Sequence, residues 1–309
     1  MDIVLCAQVK DIGQWQQELV AAFHGEPIAI WPDIPDRNAI AIALVAKPPR
    51  GVWSEFPNLK LICSLWAGVD GLLADPAFPK TLPFTRLIDP QLAAAMVETV
   101  LLHVLCAHRL APRYRVQQVR VEWLQHLQPQ AAERTVAILG FGELGRACAD
   151  ALLPLGFPVL GWSRTPHRHP RVECFDGEAR LHEVLARADI VVSLLPITAG
   201  TRRLLNAARL ALLPAGATVI NVGRGGVIDD AALVAALDAG RLEAAILDVY
   251  DEEPLPPAHP FWRHERVWVY PHVAAETDPR TAAKIVADTV RRFRAGEPLA
   301  ERVDRVRGY

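Results

Sequence analysis

From residue 134 onward, short runs of β-branched and aliphatic residues alternate with Ala- and Leu-rich stretches whose apolar positions recur every three to four residues. A parallel sheet with crossover helices produces this alternation, because its strands are buried on both faces while each covering helix is apolar on one face only. The pattern predicts strands near 135–140, 158–163, 189–195, 217–222, 243–249 and 267–271. Helices are predicted between them at about 143–154, 181–188, 201–213 and 229–239. The last of these opens on Asp229-Asp230 and closes before Gly240, acidic residues suiting a helix start and glycine a helix end. Together these elements read as a six-strand doubly wound α/β unit.

The first hundred residues carry a weaker version of the same alternation, with strands near 3–7, 28–31, 41–46, 60–65 and 84–88 and a helix at 12–23. This reads as a second, smaller α/β domain. Pro-rich stretches at 47–57 and 76–83 read as surface loops, and a long apolar-periodic stretch from Gln91 to about Leu110 as a helix joining the two units. A last helix is expected over 279–294; the pattern assigns it to neither unit.

Composition narrows the class. A chain of 309 residues suits two domains, and 51% hydrophobic with 22% charged residues gives ample surface to bury. A net charge of −2 provides no field for a nucleic-acid backbone or an anionic membrane, so neither partner is expected. The N-terminus shows no basic leader, and no uninterrupted apolar run reaches the roughly 18 residues of a membrane helix. Cys6, Cys63, Cys106, Cys148 and Cys174 are scattered without C-x-x-C spacing, so no metal site and no disulfide framework is expected, and a reducing cytoplasm fits.

Thr135-Val136-Ala137-Ile138-Leu139 runs directly into Gly140-Phe141-Gly142-Glu143-Leu144-Gly145, which opens a helix. This G-x-G-x-x-G therefore has the strand-turn-helix setting of a dinucleotide-binding loop. Gly140 permits the tight turn, Gly142 lets the backbone approach a pyrophosphate, Gly145 lets helix and strand pack closely, and the helix N-terminus offers N–H groups to the phosphates. The next strand ends on Trp162-Ser163-Arg164, where a site specific for NAD(H) would carry an acid for the ribose hydroxyls. Ser163 is small and neutral, and Arg164, with His167 and Arg168 behind it, suits a 2′-phosphate. NADP(H) is thus preferred, with NAD(H) as the alternative.

Three polar residues fall just past the carboxyl ends of predicted strands, the edge where open α/β sheets bind ligands: Arg224, Glu253 and His272. Arg224 lies among glycines in Asn221-Val222-Gly223-Arg224-Gly225-Gly226, and one guanidinium can grip the carboxylate and carbonyl oxygens of a 2-oxo acid. His272 follows Val267-Trp268-Val269-Tyr270-Pro271 and suits the proton donor that hydride addition to a carbonyl requires. A carboxylate on the far ring nitrogen would orient the ring and favour its charged form; spacing alone leaves Glu252 and Glu253 as rivals for that place.

These residues, with Leu247-Asp248-Val249-Tyr250-Asp251-Glu252-Glu253-Pro254 and Pro271-His272-Val273-Ala274-Ala275, resemble the D-isomer-specific 2-hydroxyacid dehydrogenase family, strongly over about 134–276 and diffusely before that. The resemblance implies a Rossmann domain at 99–276, inserted into a smaller flavodoxin-like substrate domain made of 1–98 and 277–309, with an interdomain active site and a homodimer. It implies Arg224 as substrate anchor, His272 as proton donor and Glu253, rather than Glu252, as its partner. On the cofactor side it implies Gly140, Phe141, Gly142, Glu143, Leu144, Gly145, Ser163, Arg164, Leu195, Pro196, Val222, Gly223 and Asp248. Within the family, Trp162-Ser163-Arg164, Leu195-Pro196 with Thr198 and Thr201, and Pro260-Phe261-Trp262-Arg263-His264 look most like the glyoxylate/hydroxypyruvate reductase A branch, which favours NADPH. Leu65-Trp66-Ala67-Gly68-Val69-Asp70 resembles the loop that holds the substrate carboxylate, so Trp66, Ala67 and Gly68 are expected on the substrate side, Trp66 narrowing the pocket toward small acids. The expected activity is reduction of glyoxylate, hydroxypyruvate or a similar 2-oxo acid. The alternatives are an NAD-dependent dehydrogenase for a bulkier acid and a dinucleotide-sensing protein resembling the family's corepressors.

Overall fold

A computed structural model describes residues 2–299 and 302–305; residues 300, 301 and 306–309 of the expected 277–309 segment lie outside the described residues. The chain divides into two compact units, one made of 1–92 and 277–309 and the other of 93–276. The first boundary falls at Leu92/Ala93, just inside the start of a long helix, rather than at 98/99.

The smaller unit is a five-stranded parallel sheet of β1 (Ile3–Ala7), β2 (Ile28–Ile30), β3 (Ile42–Ala46), β4 (Leu61–Ser64) and β5 (Phe84–Thr85), with α1 (Ile12–Ala22) after β1 and the single turn α2 (Asp70–Leu73) after β4. Its order, β2-β1-β3-β4-β5, is that of flavodoxin-like folds. β1, β3 and β4 are almost wholly buried, which is why their sequences are continuously apolar rather than alternating. β5 is shorter than expected, ending at Thr85 rather than 88.

The helix α3 (Pro90–His108) opens against Asp89, whose carboxylate accepts the Gln91 N–H and the Thr281 hydroxyl. By length and composition α3 is apolar enough to cross a membrane, although Glu98, Thr99 and His103 interrupt it. One face of it, Met96, Val100, Val104 and Ala107, packs in the core of the larger unit. Leu110 takes a left-handed conformation (φ +58°) and ends the run near the expected limit, and α4 (Ala111–Val119) is a separate helix that the apolar pattern did not predict.

The larger unit holds β6 (Val136–Leu139), α5 (Glu143–Leu152), β7 (Val159–Ser163), β8 (Glu173–Asp176), α6 (Gly177–Ala186), β9 (Ile190–Ser193), α7 (Ala207–Leu210), β10 (Ala217–Asn221), α8 (Asp230–Asp238), β11 (Leu242–Leu247) and β12 (Val267–Val269). All seven strands are parallel, in the order β12-β11-β10-β9-β6-β7-β8, so the winding reverses between β6 and β9. This doubly wound order places its ligand crevice at that reversal, beyond the carboxyl ends of the strands.

Two further elements, both in the larger unit, differ from expectation. The seventh strand, β8, was not anticipated because only Phe175 among its four residues is fully buried, so it lacks both an apolar run and alternation. The helix expected over 201–213 is only the four residues of α7. Ahead of it, Arg203 and Leu205 donate their N–H groups to Gly226 and Val227 carbonyls, and Asp229 donates to Leu205, so that stretch is tied laterally instead of coiling.

The final helix, α9 (Pro279–Arg294), belongs to the smaller unit. Ala282, Ala283, Val286 and Val290 share a core with Trp15 and Leu19 of α1, and Arg294 pairs with Asp2 (2.9 Å) and Glu26 (2.6 Å).

Candidate active site

The glycine loop follows β6, at the reversal of the sheet. A Cβ on Gly145 would stand 2.4 Å from the Gly140 carbonyl oxygen, so only glycine lets α5 start this close to the strand. At Gly142 a Cβ would meet nothing within 4 Å, and this N-cap has no side-chain acceptor for the first N–H groups of α5. Open space facing uncapped helical N–H groups is what a pyrophosphate needs. Phe141 turns inward: its ring is fully buried under Gly161, and its N–H, like that of Gly140, donates to the Trp162 carbonyl. Phe141 is thus a core residue of the loop rather than a face toward a ligand.

At the end of β7 the buried Ser163 donates its hydroxyl to the Thr165 carbonyl (2.8 Å), which curls the chain and leaves Arg164 exposed. No carboxylate occupies 163 or 164. A basic, acid-free strand end fits a phosphorylated ribose better than a free one. After β9, Thr201 Oγ1 donates to the Pro196 carbonyl (2.6 Å) and accepts from the Thr198 N–H (2.8 Å), fixing the turn that starts at Leu195-Pro196.

Arg224 stands after β10. Buried Asn221 shapes its loop, accepting the Gly223 N–H (3.2 Å) and donating to the Arg224 carbonyl (3.0 Å). A Cβ on Gly225 would fall 1.9 Å from the Tyr250 carbonyl carbon, so the loop lies directly on the backbone that follows β11. The Arg224 guanidinium is half-buried and donates to its neighbour's carbonyl at Gly223 (2.8 Å).

Glu253 and His272 meet across the ends of β11 and β12, with His272 Nδ1 2.7 Å from Glu253 Oε2. Oε1 of the same carboxylate accepts the Tyr250 N–H (2.9 Å). The pairing selects Glu253 over its rival Glu252. Burial raises the carboxyl, but the hydrogen bonds from His272 and Tyr250, with the charges of His272 and Arg224, outweigh it and hold Glu253 below the usual carboxylate range. The hydrogen bond that the His272 ring donates to Glu253 in turn raises His272 above the usual histidine value, against partial burial and the Arg224 charge. Nδ1 is committed to Glu253, so Nε2 is the nitrogen left for a ligand, and the side chains remain 49% and 34% exposed. The site therefore holds an accessible imidazole whose charged form is favoured, near the Arg224 guanidinium, an arrangement able to donate a proton next to a bound anion.

His272 has a left-handed backbone (φ +57°), uncommon for a residue with a Cβ. Asp248 holds it there: its carbonyl accepts the His272 N–H (2.9 Å), and its buried carboxylate accepts Val273 N–H (2.8 Å) and Ala274 N–H (2.9 Å). Burial raises the Asp248 carboxyl despite those two hydrogen bonds. Asp248 was expected for the cofactor; both its oxygens serve the loop that carries His272. Asn221 and Tyr250 had no place in the expected site, and only their nearness to strand ends could have flagged them.

In the smaller unit, Ser64 organises the loop after β4 by accepting the Trp66 N–H (3.1 Å) and donating to the Trp66 carbonyl (2.8 Å). The Trp66 ring is partly buried against that unit's core, and Ala67 and Gly68 are half-buried between it and α2.

Residues 101–274 match the family model described as D-isomer specific 2-hydroxyacid dehydrogenase, NAD binding domain. The chain is 37% identical to glyoxylate/hydroxypyruvate reductase A of Klebsiella pneumoniae (strain 342), over the full length of both. Among solved structures, a D-isomer specific 2-hydroxyacid dehydrogenase from Xanthobacter autotrophicus Py2, in complex with NADPH and MES, is 44% identical with a TM-score of 0.94, covering 100% of this chain and 99% of that one. The NADPH-dependent glyoxylate/hydroxypyruvate reductase of Sinorhizobium meliloti, in complex with NADP and sulfate, is 36% identical with a TM-score of 0.93 and the same coverage. On this family match and full-length similarity, the chain belongs to the D-isomer-specific 2-hydroxyacid dehydrogenase family.

Proposed function

We propose that the protein is an NADPH-dependent reductase of small 2-oxo acids, converting glyoxylate to glycolate and hydroxypyruvate to glycerate. The observation that carries this reading is the 2.7 Å His272–Glu253 pair beside Arg224, on a sheet edge that holds the dinucleotide loop and lacks the ribose-binding acid at the end of β7. Full-length relatives with that activity or with bound NADP support it.

NADPH, when bound, supplies the hydride that adds to the carbonyl carbon. Gly142, Glu143, Leu144 and Gly145 would hold its pyrophosphate through main-chain N–H groups, Ser163 and Arg164 its phosphorylated ribose, and Leu195, Pro196, Val222, Gly223 and Asp248 would border the nicotinamide side. Arg224 grips the acid's carboxylate and carbonyl oxygens, fixing the carbonyl carbon for attack. His272 transfers the Nε2 proton to the carbonyl oxygen as the carbon gains hydride; the product is the 2-hydroxy acid, and the neutral ring regains a proton from water. Glu253 stays ionised throughout and favours the charged ring before transfer. Trp66, Ala67 and Gly68 are assigned to the acid by the family resemblance.

We assign the enzyme to the cytoplasm, which suits five scattered cysteines that form no disulfide with one another. We also assign it as a homodimer. Leu102 and Leu105 of α3 are exposed, as are Val119, Val121, Trp123 and Leu127 at and beyond the end of α4; Trp123 and Leu127 are 96% and 95% exposed. Apolar surface on this scale marks an interface, and a second copy presents the same surface about a twofold axis. Light scattering should return twice the 34.0 kDa chain mass; a monomer at micromolar concentration contradicts the assignment.

The test of function is loss of absorbance at 340 nm from NADPH and, separately, NADH with glyoxylate, hydroxypyruvate, pyruvate and a phenyl-substituted 2-oxo acid. Fastest oxidation of NADPH with the two- and three-carbon acids is expected. Preference for NADH and the phenyl acid would replace this reading with a bulkier-substrate dehydrogenase, and no turnover despite NADPH binding would leave a sensor.

A further inference from the structure

Asp248 holds the turn of His272 itself, but the strand that leads into that turn is short. β12 has three residues and is the edge strand of its sheet, paired only with β11, and the register ends at Leu247↔Val269. Just beyond that end one side chain joins both strands. The hydroxyl of Tyr250, which follows β11, lies 2.8 Å from the Leu247 carbonyl and 3.0 Å from the Tyr270 carbonyl, and accepts the Tyr270 N–H at 3.1 Å. A phenol has one proton to give and lone pairs to receive, so it donates to one carbonyl while holding the N–H. The ring is buried, 7% exposed, near Phe261, and burial keeps the phenol protonated. Tyr270 precedes His272 by two residues. The Tyr250 main-chain N–H meanwhile fixes Glu253 Oε1, and its backbone is the floor on which Gly225, next to Arg224, rests.

We propose that Tyr250 is a positioning residue for the reaction: its hydroxyl pins the end of β12, and with it His272, at hydrogen-bonding distance from the carboxylate that its own N–H holds. The inference rests on the reading of His272 and Glu253 as the proton-donating pair. Phenylalanine would fill the same volume but leave the Tyr270 N–H to the Leu247 carbonyl alone (2.9 Å), so that the segment between β12 and the Asp248-held turn loosens and His272 shifts against Glu253.

The experiment compares Tyr250→Phe with wild type in kcat, KM for glyoxylate, NADPH affinity by fluorescence, thermal midpoint and the pH profile of kcat/KM. The expected result is a kcat lower by about tenfold, of the order that a sub-ångström misplacement of a catalytic group produces. NADPH affinity should be unchanged, and the alkaline limb should move to lower pH because a misaligned Glu253 raises His272 less. A lower thermal midpoint with kcat and the limb unmoved would overturn the proposal and leave Tyr250 a purely structural residue. If Tyr250→Phe does not fold, 4-aminophenylalanine at position 250 keeps the donor and weakens the acceptor; an intermediate shift of the limb supports the proposal and an unmoved limb overturns it. His272→Gln run in parallel separates the two levels. Normal turnover in that variant removes the underlying reading, whereas an inactive His272→Gln beside a Tyr250→Phe with wild-type kcat and limb removes only the role of Tyr250.

Discussion

Two stretches of one sheet edge are built in opposite ways. At the β6–α5 and β7 ends, the cofactor side is shaped by the absence of side chains: Gly145 where a Cβ would strike the Gly140 carbonyl, Gly142 where nothing stands within 4 Å, and no acid at 163 or 164. At the β10, β11 and β12 ends, the chemical side is shaped by side chains that carry no chemistry themselves. Asn221 laces the Arg224 loop, Asp248 caps the His272 turn, and Tyr250 bridges the strands between Glu253 and His272. A phosphate site needs main-chain N–H groups and room, which backbone shape alone provides. A proton donor needs an orientation, which only a surrounding set of satisfied hydrogen bonds maintains.

That contrast makes the two sides separable by mutation. The largest effect is expected for His272→Gln, which keeps the volume but has no titratable nitrogen: turnover should fall by about 10²-fold or more with NADPH affinity intact. A variant that turned over normally, or that lost NADPH binding in parallel, would break the separation. A smaller effect is expected on the other side. Arg164→Ala should reduce the preference for NADPH over NADH by roughly tenfold, the loss of one charge-assisted contact, while KM for the 2-oxo acid stays put. An unchanged preference would move the 2′-phosphate contact to another residue, and a changed KM for the acid would show that the two sides are coupled.

The same contrast explains what could be read from sequence. The glycine loop was legible because glycine spacing is itself the structural requirement, and Arg224 and His272 stood out as candidates because charged groups past the ends of apolar strands have few structural uses; Glu253 was separated from Glu252 by the family resemblance and not by spacing. Five of the seven strands of the larger sheet are almost entirely buried and announce themselves as apolar runs; β8, with Phe175 its only buried residue, has no such signal. The helix expected at 201–213 failed for a nonlocal reason, since Arg203 and Leu205 within it pair with backbone groups at 226–229. The roles of two supporting residues were hidden because they depend on contacts twenty or more positions away: Asp248 to Val273 and Ala274, Tyr250 to Tyr270. Phe141, inside the motif itself, looked like part of the ligand loop and is instead its buried anchor.

The central claim is that Glu253 sets His272 as the proton donor. Glu253 holds the ring above the ordinary histidine value, so the donor form persists to higher pH and reduction should fail only as pH rises through that elevated value. The decisive measurement is the pH dependence of kcat/KM for NADPH-driven reduction of glyoxylate in wild type and Glu253→Gln. The expected result is a single alkaline limb above pH 6.5 in wild type that moves to lower pH when the carboxylate is removed, with a lower plateau. Superimposable limbs in the two proteins would mean that the titrating donor is not His272 under the control of Glu253, and would contradict the account.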